Sequence, residues 1–138
     1  MAKRGERWSI MATLVFKAIT VDGVEIFNTT PHPINFGVGD EVKEVPTCGV
    51  LVNASSSEEV VKTEGGVEFV RTKFTGNDEG RAIIAAMKAA NPDAVIVGSI
   101  IAAQAYPGDV VAMTPLPGYE RVAPAEKRMN PHKFTTFA

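Results

Sequence analysis

The sequence predicts an α+β protein. The expected core is a mixed, mostly antiparallel sheet of N-terminal hairpins, then an α-β-α-β segment packing its helices on one face, then an extended C-terminal tail. Three observations predict it. The first half alternates polar and β-branched residues, with turn pairs between the runs. From Asp78 to Met113 the pattern becomes helical, interrupted by short apolar runs. Beyond Thr114, prolines recur at Pro115, Pro117, Pro124 and Pro131. The implied organisation is an N-terminal tail over 1–12, one domain over 13–114 and a docking tail over 115–138.

Each element has a local reason. Leu14 to Val21 and Val24 to Asn28 are β-rich runs around Asp22-Gly23, a pair suited to the positive φ angles of a type I′ hairpin turn. Thr29 to Phe36 and Glu41 to Val45 flank a second turn at Gly37 to Asp40. Val50 to Asn53 and Val67 to Phe74 are expected as further strands. Between them, Ser55 to Glu59 is expected as a solvated turn, Val60-Val61 as part of a strand, and Glu64-Gly65-Gly66 as a turn. Asn77 or Asp78 caps a helix presenting Ala82, Ile83, Ala86 and Ala90, widened by Ile84 and Met87, that stops before Pro92. Ala94 to Val97 reads as a central strand, Ser99 caps a short apolar helix to Tyr106, and Val110 to Met113 is the parallel return strand. In the tail, Phe134 and Phe137 are expected anchors against the body or a neighbouring subunit.

Composition narrows the function. The 138 residues are 45% hydrophobic and 22% charged, enough for one domain with a core. Fourteen Lys and Arg against 16 Asp and Glu give −2, which argues against a duplex nucleic-acid binder. The charge is uneven: residues 1–12 and 120–138 each carry +2, so the stretch between them carries −6. One cysteine, Cys48, excludes an intrachain disulfide and reads as a small buried side chain. No apolar run approaches the roughly 20 residues of a membrane helix, and the first residues do not read as a signal peptide. A cytoplasmic location with no membrane partner is expected. Translation from Met1 or Met11 fits equally.

Three features point to chemistry. In Asn28-Thr29-Thr30-Pro31-His32-Pro33-Ile34-Asn35, prolines on both sides of His32 are expected to hold the imidazole on a stiff, extended bridge. Asn28, Thr30 and Asn35 supply neutral donors and acceptors beside it. Gly98 and Ser99, between a strand and a helix start, resemble a small phosphate cradle without a dinucleotide fingerprint. Arg121, Arg128 and Lys133, with Tyr119 and Phe134 interleaved, form a basic aromatic end suited to an anion. The expectation is that imidazole, helix mouth and cationic end converge on one hollow. No cofactor, metal set or catalytic residue is assigned.

The block Asn28-Thr29-Thr30-Pro31-His32-Pro33-Ile34 resembles the N-L-T-P-H-[PA]-[IV] signature of a small-protein family common in bacteriophage and bacterial genomes, with Thr29 in place of Leu. Ile96 to Ala105 resembles that family's second block, V-S-x-[IV]-V-A-x-A, with Gly98 intervening before Ser99. The two blocks cover about a fifth of the chain. The resemblance carries no catalytic residues and implies an accessory protein made during infection. In size and context the chain is similar to the small oligomeric sponges that phages use against cyclic-nucleotide immune signals.

Three functions follow as expectations. The first is a homo-oligomeric protein that sequesters a nucleotide-like small molecule without turnover, through Asn28, Thr30, His32, Asn35, Gly98, Ser99, Arg121, Arg128 and Lys133. The second is an enzyme on nucleotides with His32 as general acid or base. The third is a virion or assembly component whose extended segments are arms between subunits.

Overall fold

A computed structural model describes residues 17–138. The expected tail over 1–12, with its basic residues, lies outside the described residues. Among these residues, nine strands and two helices form an α+β fold: β1 (Ala18–Val21), β2 (Val24–Asn28), β3 (Ile34–Val38), β4 (Glu41–Val45), β5 (Ser55–Glu64), β6 (Val67–Thr75), α1 (Asp78–Ala90), β7 (Val95–Val97), α2 (Ile100–Ala105), β8 (Ala112–Pro115) and β9 (Met129–Thr135). A 3-10 turn, Pro124–Glu126, precedes β9.

The strands make two body sheets rather than one. The first has order β1-β2-β7 and the second β4-β3-β9-β8. Side-chain alternation stacks them. Phe27 and Ile96, paired across β2 and β7, enter one core cluster with Ile84 and Met87 of α1 and Ala102 and Ala103 of α2. Val21 and Ile26 point the other way, into a second cluster with Ile34, Phe36 and Val45. The layers are therefore helices, first sheet, second sheet, with both helices on one face of the first sheet, as the period change predicted. A parallel bridge between Val97 and Val111 carries the first sheet toward β8.

The local turn chemistry is borne out. Asp22 and Gly23 have φ of 47° and 82°, and Val21 faces Val24 across a two-residue turn. The Asn77 side chain accepts from the Gly80 amide at 2.8 Å and caps α1, with Asp78 and Glu79 in its first turn. Its buried stripe is Gly80, Ile84 and Met87, an i, i+4, i+7 set, whereas Ala82 and Ala90 are exposed. The alanine face read from spacing is thus rotated, because the larger side chains gain more from burial.

The tail is not peripheral. β9 inserts between β3 and β8, parallel to β3 and antiparallel to β8, and Phe134 packs edge-on to Phe36 with centroids 6.4 Å apart. Phe137 stays exposed. The boundary expected at 114/115 falls inside β8. Val50 to Asn53 is not a strand: Gly49 has φ 104°, and the irregular segment lays Val52 and Cys48 into the first core cluster. Ser55 to Glu59 is not a turn but the start of a ten-residue strand, because β6 offers a continuous partner.

Candidate functional site

Asn28 closes the end of β2 and spends its whole amide on backbone. Its Nδ2 donates to the carbonyls of His32 (2.8 Å) and Val45 (3.1 Å), while its Oδ1 accepts from the Thr30 amide (2.9 Å) and hydroxyl (2.6 Å). Thr29 donates its hydroxyl to the Val97 carbonyl at 2.8 Å, and its amide bonds the same oxygen at 2.9 Å. The Cys48 amide reaches the Asn28 carbonyl at 2.8 Å. Three buried polar side chains thereby knot the ends of β2, β4 and β7 together. Low dielectric makes such saturated bonds valuable and a missing one costly.

The same knot changes the expected geometry at His32. Residues 30–32 form a bend, not an extended bridge, since Asn28 and Thr30 both pull the chain back onto the His32 carbonyl. The ring itself is exposed and has no hydrogen-bond partner among the described residues. Asn35 is half-buried in β3, paired with Glu44. Beside the bend, Pro31, Thr47, Gly49, Val50 and Leu51 line an open cleft of about 250 Å³. Cys48 is buried, and burial pushes its thiol pKa up.

Gly98 and Ser99 lie at this end too. Thr29 Oγ1 stands 3.3 Å from where a Gly98 Cβ would be, so a larger residue would press on the knot. Ser99 accepts from the Ala102 amide at 3.1 Å, so its hydroxyl is occupied as a cap of a six-residue helix.

The cationic end does not join them. β9 runs parallel to β3 with Met129 opposite Phe36, so Lys133 lies beyond the Val38 end of β3, away from His32. His132 confirms the direction: its Nε2 is 2.8 Å from Asp22 in the β1–β2 turn. Asp22 and Asn28 are separated by six steps of a strand, about 20 Å at the usual rise. Arg128 stacks on Tyr119, 5.3 Å from the ring centroid, and covers Gly37 near the same far end. Arg121 is exposed in the connection between β8 and β9. The parallel insertion of β9 therefore carries Lys133 to the opposite end of β3 from His32 and out of the expected hollow.

The sequence reading missed the most unusual feature. β5 and β6 form a separate two-stranded sheet, paired from Ser55–Thr75 to Glu64–Val67 around Gly65-Gly66. Ten residues of strand reach about 33 Å. Every residue of both strands except Phe74 is exposed. Val60, Val61, Val67, Phe69 and Val70 are each between 40% and 54% exposed. Isolated hairpins are marginal in water, and a contiguous apolar patch on one signals a surface awaiting cover. The signal was present as the closely spaced apolar pairs Val60-Val61 and Phe69-Val70, which no one-sided strand accommodates.

The root of this arm is rigid. The Tyr106 hydroxyl donates to the Asn53 carbonyl at 2.7 Å and accepts from the Asn77 amide at 3.0 Å. Asn53 leads into β5 and Asn77 follows β6, so one buried tyrosine clasps both feet of the arm. Gly76 and Gly80 leave room for it: a Cβ on Gly76 would come 2.5 Å from the tyrosine ring, and one on Gly80 would collide with the hydroxyl.

Comparison with known proteins adds nothing to this picture: no family model, curated protein or solved structure matches the chain. Among the described residues, no helix is long and apolar enough to cross a membrane, and no cluster of ligating side chains is suited to a metal ion.

Proposed function

We propose that this chain is a self-assembling structural subunit, a component of a homo-oligomer in which the β5–β6 arm reaches a neighbouring copy. One observation carries the reading: a long hairpin, clasped firmly at its root, exposes large apolar side chains on both faces. A protein that acted alone would gain nothing from holding such a surface in water. The third function expected from the sequence is therefore preferred, with the arm rather than the C-terminal tail as the element between subunits. The phage-family resemblance makes the virion the natural setting.

The test is sedimentation of the purified full chain beside a variant in which residues 56–74 are replaced by a short Gly-Ser turn. The full chain is expected to sediment as a discrete oligomer and the shortened one as a folded monomer. A monomeric full chain at high concentration would overturn the reading. Recovery of the protein in purified particles would support the virion setting.

A second reading keeps one specific observation. The exposed His32 ring, the Pro31–Leu51 cleft and the α2 start share one end of the body. This is where a nucleotide-like ligand would be held without turnover, with Lys133 of the same copy at the other end of β3. Calorimetry with cyclic dinucleotides and cyclic ADP-ribose species tests it. Saturable binding abolished by His32→Ala supports it, and absence of heat with every nucleotide removes it.

A further inference from the structure

Resting on the assembly reading, we infer that the arms join in one fixed order: the free edge of β5 in one copy pairs with the free edge of β6 in the next, closing an up-and-down barrel of arms. In a two-stranded sheet each strand has one edge whose outward N–H and C=O groups lack a ladder partner. Such an edge is a template for another strand.

Charge selects the partner. β5 carries Glu58, Glu59 and Glu64 against Lys62, a net −2, whereas β6 carries Arg71 and Lys73 against Glu68, a net +1. Two β5 edges meeting antiparallel about Val61 would set Glu58 against Glu64. A β5 edge beside a neighbour's β6 instead sets Glu59 near Arg71 and Lys73, which cross-strand pairing places on the same face. Within one arm, Glu59 and Arg71 already face each other at 3.8 Å, a loose exposed pair with room for a second partner.

Direction and shape agree. β5 runs outward and β6 returns, so copies standing side by side about an axis present β5 antiparallel to the next β6. A head-to-tail contact of this kind closes a ring when the rotation permits, and closure removes both free edges. The register shift between Val60 and Lys62 is a bulge, the device that bends and twists strands toward closure. The two faces also differ. Cross-strand pairing puts Val60, Val70 and Phe74 on a face with only Glu58 and Glu68 as charges, while the opposite face holds Glu59, Glu64, Arg71, Lys73 and the Lys62 ammonium 5.3 Å from the Phe69 centroid. The first face carries fewer charges and suits the inside of the ring, while the second, with five charged residues beside Val67 and Phe69, suits the outside.

The experiment uses full chains carrying E58K/E59K, R71E/K73E, or all four changes, with native mass spectrometry of each and of the first two mixed. Each pair alone sets like charges edge to edge, and self-association should weaken at least about tenfold. Mixing the two should restore oligomers of alternating composition. The fourfold variant keeps opposite charges both within and between arms and should assemble as the wild type does, which controls for folding of the hairpin. A wild-type oligomer insensitive to either pair, or a mixture that fails to recover, overturns the edge pairing and leaves the assembly reading standing. Stronger association with E58K/E59K also overturns it, in favour of β5 meeting β5, where that change sets a cation against Glu64. A monomeric wild type ends both.

Discussion

The body and the arm of this protein are built on opposite terms. At the end of β2, polar Asn28, Thr29 and Thr30 are buried and every buried side-chain N or O among the described residues has a partner. Along β5 and β6, valines and a phenylalanine stand in water. The polar groups of the first region are satisfied within one chain, while the second leaves its apolar side chains uncovered. In the block Asn28 to Ile34, the polar groups of Asn28, Thr29 and Thr30 are taken up by folding, while the His32 ring stands exposed. The unremarked stretch after Asn53 carries the surface that folding leaves unexplained.

The contrast is open to direct attack. The largest effect is expected for Asn28→Ala. It strands the Val45 carbonyl and the Thr30 amide, leaves the His32 carbonyl to the Thr30 hydroxyl alone, and should cost about 3–5 kcal/mol in urea denaturation. A loss under about 1 kcal/mol would mean that the knot is wet and the body not self-sufficient. Tyr106→Phe removes the clasp between Asn53 and Asn77 and should cost about 1–2 kcal/mol. It should also speed amide exchange at the arm's feet while α1 and β2 remain protected.

Two further predictions separate stability from assembly. Val60→Thr with Val70→Thr should change monomer stability by no more than about 0.5 kcal/mol, since both side chains are exposed, yet abolish the oligomer seen by sedimentation. A large stability loss with assembly intact would show that the arm packs within its own copy. Burial raises the Cys48 thiol pKa in the folded protein, so ionisation favours the unfolded chain. That stabilising contribution is full below the unfolded thiol pKa and is lost as pH rises beyond about 8.5. Replacement by Ala should flatten this alkaline decline. The smallest effect is expected for His32→Ala. The bend is held by the His32 backbone carbonyl and not by its ring, so denaturation should shift by less than about 0.5 kcal/mol.

Much of the fold was legible because it depends on near neighbours. Asp22-Gly23 dictated its turn, Asn77 and Ser99 their caps, and Pro92 the end of α1. The strand Val95–Val97 followed from its unbroken apolar run. The candidate site was legible only in pieces. Asn28, Thr30 and His32 were read as neighbours of one another, which they are, but the reading assigned the polar groups to a ligand. Nothing local says that the Asn28 amide will meet the Val45 carbonyl, 17 residues away.

By itself the sequence determined the α+β class, the hairpin turns, the helix caps and the burial of Cys48, since each rests on torsional preference, capping or hydrophobic transfer within a few residues. The tertiary structure alone decided three things. It inserted β9 beside β3, because a strand's place in a sheet depends on which distant edge is free. It thereby carried Lys133 away from His32. And it left Val60, Val61, Val67, Phe69 and Val70 of β5 and β6 outside both core clusters, which no local pattern announces.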